Sequence, residues 1–305
     1  MAQAMFVSLA FFLAAQLVIP FGKPRVIEQP RAPIESAGPR WAVACDGSDD
    51  WTKPAPPVRI HGNTYLVGTC GISSILIVGS DGDILIDGGP EQAADLIADN
   101  IRSLGFRVED VRFIVNSHEH PDHVGGLARL QRLSGATVIA SAPARTTLMS
   151  GKPSAEDPQH DTLESFPAVP VGGVIGDGGE VRLGNLMLTA MTTPGHTPGA
   201  LSWRWVSCDG GVCRTIVYAD SLSPVSSPNY RFSDHPAYLA AYRASIAKVA
   251  ASTCEILLTP HPSASQMPQR LALGKPLLDT DACRNYAAGL TKKLDDRLAK
   301  EASGK

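Results

Sequence analysis

Four potential metal ligands lie close together in the segment SHEHPDH at 117–123, directly after an apolar run typical of a buried strand. His118 and His120, two residues apart in an extended loop, can converge on one ion through their ring nitrogens. Asp122 and His123 can turn towards a second ion beside it. Imidazole and carboxylate ligands at this density indicate zinc, with iron and manganese also compatible. A solvated histidine-rich turn is the alternative.

Two further histidines stand in turns that follow predicted strands. His196 lies in TPGHTPG at 193–199, where the prolines restrict the backbone. His261 lies in TPHP at 259–262, immediately after an apolar run. A lone histidine is more often an ordinary core or surface residue, so these two are candidates because of where they stand. Loops that each follow a strand can meet at one edge of a layered fold.

The elements that must position these side chains alternate between strands and helices. Turn residues between β-rich runs predict hairpins over 58–67 and 72–86, followed by a helix after Pro90. Strand, loop, helix and strand follow over 113–140. Four more strands, a helix over 236–250, a last strand and a C-terminal helix complete the chain. In each of two halves the strands come first and a helix follows, which predicts an α/β fold, a sandwich of two sheets with helices packed outside both.

The length of 305 residues suits one domain with an N-terminal extension. We expect a signal peptide and flexible leader over 1–40 and a single domain over 41–305. The apolar stretch 5–20 is shorter than the ~20 residues of a spanning helix, which favours a secretory signal and a periplasmic or secreted protein. No Lys or Arg precedes the stretch and no clear cleavage site follows. An uncleaved membrane anchor and a buried N-terminal helix are therefore the alternatives.

The charge pattern indicates which partners to expect. The 27 Lys and Arg against 30 Asp and Glu give a net charge of -3 with mixed signs, so no broad basic field exists to collect phosphates. We expect no nucleic acid and no stable membrane partner, but a monomer that acts on a small molecule.

The six cysteines, none in C-x-x-C spacing, indicate disulfides formed in an oxidising compartment. Six cysteines allow fifteen pairings in principle. Cys208 and Cys213 bracket a short turn that a disulfide can close, and they are paired first. Pairing within the first and last regions of the chain adds Cys45 with Cys70 and Cys254 with Cys283. Six reduced thiols in a cytosolic enzyme are the alternative.

Taken together, these motifs resemble the metallo-β-lactamase superfamily over nearly the whole chain after the leader. The motifs are H-x-H-x-D-H at 118–123, P-G-H-T-P-G at 194–199 and a histidine after the last strand. The resemblance implies a four-layer αβ/βα sandwich, with two zinc ions at one edge. It also implies two ligand sets, namely His118, His120 and His196 for the first ion and Asp122, His123 and His261 for the second.

Further segments resemble one branch of that superfamily, the third subclass of class B β-lactamases. In YADSLS at 218–223, serine stands where the first subclass has cysteine, and GNT at 62–64, GTCGIS at 68–73 and TPHPSAS at 259–265 also fit. The resemblance implies zinc-dependent hydrolysis of the β-lactam amide bond of penicillins, cephalosporins and carbapenems, which would confer antibiotic resistance. Asp122 would also be catalytic, by orienting the attacking water.

Substrate contacts are predicted less directly. Ser221 and Ser223 would offer hydroxyls to the carboxylate of the antibiotic, with ordinary turn chemistry as the alternative. Gln159 is a weaker candidate for the same contact, and an exposed loop position is its alternative. Asp220 can be interpreted as the metal-bridging aspartate of glyoxalase-like relatives, but the neighbouring serines argue for no direct metal contact.

Two rival functions differ in what they require of the chain. A glyoxalase-like thioesterase or lactonase of the same superfamily would be cytosolic and poor in cysteine, whereas this chain has an apolar leader and six cysteines. A zinc-binding protein without turnover would have a degraded ligand set, whereas all ligand positions here are filled.

Overall fold

The structure is a computed structural model that describes residues 33–303, and within them the strands form two sheets. The seven strands of the first sheet, in spatial order, are β1 (Val58–His61), β2 (Thr64–Leu66), β3 (Ile75–Val78), β4 (Asp83–Ile86), β5 (Val111–Val115), β6 (Thr137–Ala140) and β7 (Val171–Val174). The second sheet consists of β8 (Glu180–Leu183), β9 (Leu186–Thr192), β10 (Leu201–Asp209), β11 (Val212–Tyr218) and β12 (Ile256–Leu258), and each strand lies next to the one that follows it in the chain.

Helices separate the strands and cover the sheets. They are α1 (Ile34–Cys45), α2 (Ala94–Ser103), α3 (Pro121–Val124), α4 (Leu127–Ser134), α5 (Ala142–Ser150), α6 (Pro236–Ala250), α7 (Met267–Ala272) and α8 (Ala282–Ala302). Within residues 33–303, no helix combines the length and the apolar character needed to cross a membrane.

The hydrophobic core consists of three buried clusters, one between the two sheets and one between each sheet and its outer helices. Side chains alternate between the two faces of a strand, so each sheet contributes to two of these clusters. Ile75 and Ile77 of β3 face the second sheet, where they join Leu188 and Trp203 in one buried cluster. On its outer face the first sheet packs under α2 and α4, and the second sheet packs under α6 and α8. This arrangement confirms the predicted four-layer αβ/βα sandwich.

Most predicted elements are confirmed, and α6 has the bounds 236–250 that the sequence indicated. The helix α1 begins at Ile34, inside the segment 1–40 that the sequence assigns to the leader, and the domain boundary stays a prediction. Pro39 inside this helix hides the helical pattern. Nevertheless Ile34 and Trp41 are buried in the core between the sheets. The apolar stretch 5–20, which predicts a secretory signal, lies outside the described residues.

All three predicted disulfides are confirmed: Cys45–Cys70, Cys208–Cys213 and Cys254–Cys283. The first ties the end of α1 to the loop after β2. The second closes the β10–β11 hairpin, whose two cysteines are paired in register. The third joins the turn before β12 to α8, so each bridge fixes an element that leads towards one edge of the sandwich.

Candidate metal centre

The direction of the strands brings the candidate loops to one edge. β4 and β5 run parallel, as do β11 and β12, so their C-terminal ends open on the same side of each sheet. β5 leads into His118, β11 into Asp220 and β12 into His261. His196 lies in the turn between the antiparallel strands β9 and β10. The predicted meeting of these loops is confirmed.

The segment after β5 is more regular than the sequence suggested. His120 is extended, with ψ of 150°, and Pro121 then begins the short helix α3. Proline at this first position presets the helical φ and loses no hydrogen bond. α3 turns Asp122 and His123 into the buried edge beside His118.

Three histidines form the first group of candidate ligands. The ring centroids of His118, His120 and His196 are each 4.8 Å from the other two. All three side chains are buried, and one potential ligand atom from each lies within 4.8 Å of the others. This spacing lets three nitrogens bind one ion.

A second group adjoins the first. Oδ2 of Asp122 lies 3.0 Å from Nε2 of His123 and 3.4 Å from Nε2 of His261. The two Nε2 atoms are 3.3 Å apart. The ring centroids of His118 and His123 are 4.2 Å apart, so the two groups are neighbours.

Acceptors outside the cluster decide which nitrogen of each ring faces inwards. A ring that donates through one nitrogen keeps a lone pair on the other, which is what a metal ligand needs. The outer contacts are His118 Nδ1 to Asp220 (2.8 Å), His120 Nε2 to Asp157 (3.0 Å), His196 Nδ1 to the Ser223 carbonyl (2.9 Å) and His261 Nδ1 to the Gly71 carbonyl (3.3 Å). Nε2 of His118 is fully buried with no hydrogen-bond partner in residues 33–303. The residues therefore fit a bound cation.

The pKa values of the clustered histidines also bear on the binding of a cation. Burial lowers the pKa of His118 and of His196 well below the ordinary value and lowers that of His261 to about 4, so these rings are neutral at pH 7. Burial acts against the charge of His123 as well, but the carboxylate of Asp122 outweighs it and raises the pKa of His123 to about 10. A cation that binds His123 therefore releases a proton. Neutral imidazoles with one carboxylate suit zinc.

The predicted substrate contacts lie around this cluster. The hydroxyl of Ser221 is buried with no protein partner in the described part of the chain, while its carbonyl accepts from Tyr286 at 2.7 Å. Oγ of Ser223 lies 3.2 Å from Nδ1 of His196. Gln159 is half-buried, and its side-chain nitrogen has no partner within residues 33–303. Contact with a substrate stays a prediction for all three.

Sequence reasoning missed three residues at this edge. Asp87 follows β4 with φ of 61° and accepts hydrogen bonds from Ser117 N (2.6 Å) and Tyr218 OH (2.7 Å). Its position before two glycines at a strand end was a signal. Asp157, which contacts His120, had no comparable signal in the sequence. Trp51 is half-exposed, with its ring centroid 6.2 Å from that of His261.

Comparison with known proteins identifies the class. The chain matches the family model of the metallo-beta-lactamase superfamily over residues 67–261. The protein belongs to this superfamily.

Solved structures narrow the resemblance. The chain is similar to the MIM-2 metallo-beta-lactamase, with a TM-score of 0.84 and 53% identity over 87% of this chain and 98% of that one. It is similar to MIM-1 from Novosphingobium pentaromativorans, with a TM-score of 0.85 and 49% identity over 87% and 98%. It is also similar to MEM-A1, a subclass B3 metallo-beta-lactamase from a soil metagenome library. The TM-score is 0.80, and the two chains are 45% identical over 84% of this chain and 100% of that one. The predicted resemblance to the third subclass is confirmed.

Curated relatives are more distant. A hydroxyacylglutathione hydrolase from Anaeromyxobacter dehalogenans is 29% identical over 166 residues, which cover 54% of this chain and 51% of that protein. A probable metallo-hydrolase from Burkholderia pseudomallei is 29% identical over 152 residues, which cover 44% of this chain and 48% of that protein. The chain spans about half the length of these curated relatives.

Proposed function

We propose that the protein hydrolyses the β-lactam amide bond of penicillins, cephalosporins and carbapenems with two zinc ions as cofactors. His118, His120 and His196 would hold one ion, and Asp122, His123 and His261 the other. The observation that carries the proposal is the orientation of Asp220. Its carboxylate binds the outer nitrogen of His118 at 2.8 Å. The sequence interpretation as a metal-bridging aspartate requires that carboxylate to face the cluster, so its orientation favours the lactamase over the glyoxalase-like rival.

The chain's own residues bind and orient the reactants. Zinc supplies Lewis acidity and lowers the pKa of water, so a serine or cysteine nucleophile is not required. The carboxylate of Asp122 orients the attacking water. The hydroxyls of Ser221 and Ser223 and the amide of Gln159 donate hydrogen bonds to the carboxylate of the antibiotic.

The proposal extends to where the protein acts. Three disulfides and no free cysteine within residues 33–303 fit an oxidising compartment. We therefore propose export to the periplasm or medium, where a monomer would confer resistance by destroying the antibiotic. Fractionation of cells expressing the full chain tests this, and protein found only in the cytoplasm would contradict it.

The test of activity uses purified protein with a chromogenic cephalosporin and with a carbapenem. We expect turnover that a chelator abolishes and added zinc restores. His196→Ala should lose it, whereas His160→Ala, at a histidine outside both groups, should not. Zinc-loaded protein that hydrolyses neither substrate would contradict the proposal, and thioesters and lactones would then be the substrates to test.

A further inference from the structure

Glu119 is a buried carboxylate for which the proposed function has no role. It stands between His118 and His120 and is only 2% exposed. A charged side chain is rarely buried to this degree unless hydrogen bonds compensate it. Its partners therefore indicate what it does.

Both partners of Glu119 belong to the loop that carries His196. Oε2 accepts a hydrogen bond from Oγ1 of Thr197 at 2.7 Å, and Oε1 accepts from the backbone nitrogen of Gly199 at 2.8 Å. A side chain at Gly199 would place its Cβ 2.7 Å from that Oε1 atom and 2.5 Å from the backbone nitrogen of Ala144. Only glycine permits this close approach.

The two hydrogen bonds connect the two loops that together form the three-histidine group. One loop supplies His118 and His120, and the other supplies His196. The outer ends of the second loop have their own contacts, from Ser245 Oγ to the Pro194 carbonyl (2.7 Å) and from Leu201 N to the Ser117 carbonyl (2.6 Å). Removing Glu119 therefore loosens the middle of the loop while its ends stay attached.

We propose that Glu119 is a positioning residue that fixes His196 relative to His118 and His120 and so sets the zinc affinity of this group. The inference rests on the proposed function for the identity of the cation. A zinc site requires its ligand atoms within narrow distance limits, about ±0.2 Å of the usual metal–ligand values. Loss of a partner that orients ligands typically lowers metal affinity about 10–100-fold.

The experiment measures zinc affinity by competition with a chromogenic chelator in the His261→Ala background, where the three-histidine group is intact. Glu119→Ala should lower the affinity about 10–100-fold. Glu119→Gln should stay within about fivefold, because its oxygen accepts from Gly199 and its amide donates to the Thr197 hydroxyl. Thr197→Val, which removes one of the two bonds, should lie between them. The visible spectrum of the cobalt(II) form reports the ligand geometry independently.

Glu301→Ala is the matched control. Glu301 is also a buried carboxylate that accepts two backbone hydrogen bonds, from Phe232 and Ser233. Its loss should lower the melting temperature of the metal-free protein and leave zinc affinity unchanged. Unchanged affinity in Glu119→Ala, or an equal loss of affinity in Glu301→Ala, would overturn the proposal. A Glu119→Gln variant as weak as the alanine variant would also overturn it. Wild-type protein that binds zinc but hydrolyses no β-lactam would contradict the proposed function and leave this measurement interpretable.

Discussion

At the scale of single residues, the candidate centre depends on acceptors placed behind each ring. Asp220 selects the inward nitrogen of His118, and Asp157 selects that of His120. Burial raises the pKa of Asp220 in the metal-free cluster, and a cation bound at the other side of the His118 ring would oppose that shift. The candidate centre therefore includes carboxylates that would not touch zinc themselves but orient the histidines that would.

Asp220→Asn should lower zinc affinity and kcat by about 10–100-fold, because a neutral amide is a weaker acceptor for the ring N–H of His118. Chelator competition and steady-state kinetics measure the two effects. Asp177→Asn, which changes an exposed carboxylate paired with Lys248 at 2.7 Å, is the control and should match the wild type. Wild-type zinc affinity in Asp220→Asn would show that this carboxylate does not orient the ring.

Sequence reasoning found the residues whose signal is local and missed those whose partners are distant. His118 to His123 stand within a few positions, so their ligand spacing is visible in the sequence. Asp157 meets His120 from 37 residues away, and Asp87 meets Ser117 from 30 residues away. The contact of Asp157 leaves no pattern along the chain, because the fold alone brings it to His120. Asp87 stands before two glycines at a strand end, but that pattern does not indicate which residue it contacts.

At the scale of elements, α8 fixes the short segment that precedes α6. Glu301, near the end of α8, accepts hydrogen bonds from the backbone nitrogens of Phe232 (3.0 Å) and Ser233 (2.9 Å). Arg297, one turn earlier, donates to the same carboxylate at 2.8 Å. Burial opposes the charge, but these donors outweigh it and lower the pKa of Glu301 to about 2.

Glu301→Gln should destabilise the protein in a pH-dependent way. A carboxyl group with a lowered folded pKa contributes its stability above its unfolded pKa of about 4.3, and this contribution is lost as pH falls through about 2. The difference in unfolding midpoint between wild type and variant should therefore be full at pH 7 and shrink as pH falls from about 4 towards 2. Urea unfolding across this range measures it. Glu91→Gln, at an exposed carboxylate, controls for general acid effects, and a pH-independent difference would contradict the interpretation.

The disulfides should differ in how much they stabilise the fold. The cysteines of Cys254–Cys283 are 29 residues apart, whereas those of Cys208–Cys213 are 5 apart. In the chain-entropy model the longer loop contributes about 3–4 kcal/mol and the shorter about 2 kcal/mol. Urea unfolding of the two double alanine variants compares them. An equal or larger loss on removing the hairpin bridge would show that native-state contacts, not loop closure, set their effect.

Helix prediction failed where a local signal was ambiguous. Pro39 is usually incompatible with a helix interior, so the sequence places residues 34–40 of α1 in the leader, although the buried face of this helix packs on the core. The helix α5 was also missed. Ser141 caps it by accepting from Ala144 N at 3.2 Å, and a proline near its start completes an N-terminal signal that the sequence does contain.

At the scale of the whole molecule, the candidate ligands come from both sheets. His118 and His123 follow a strand of the first sheet, whereas His196 and His261 follow strands of the second. In the proposed ligand sets each ion takes ligands from both sheets, so each ion would connect the two halves of the sandwich across their shared core. Because unfolding separates these ligands, metal binding should stabilise the whole fold and not only the loops.

Removing the metal should therefore lower the melting temperature of the entire domain. Free zinc at 100 times its dissociation constant adds about 2.7 kcal/mol for each site, which for a domain of this size corresponds to about 5 °C per ion. Calorimetry of zinc-loaded and chelated protein measures the difference. His118→Ala removes a ligand from the first sheet and His196→Ala one from the second, so each should reduce the shift by a similar amount. The second ion should still contribute its part of the shift in both variants. A shift that falls in only one of them would mean that the first ion is held by one half alone, and identical melting of loaded and chelated wild type would mean that the cluster binds neither ion.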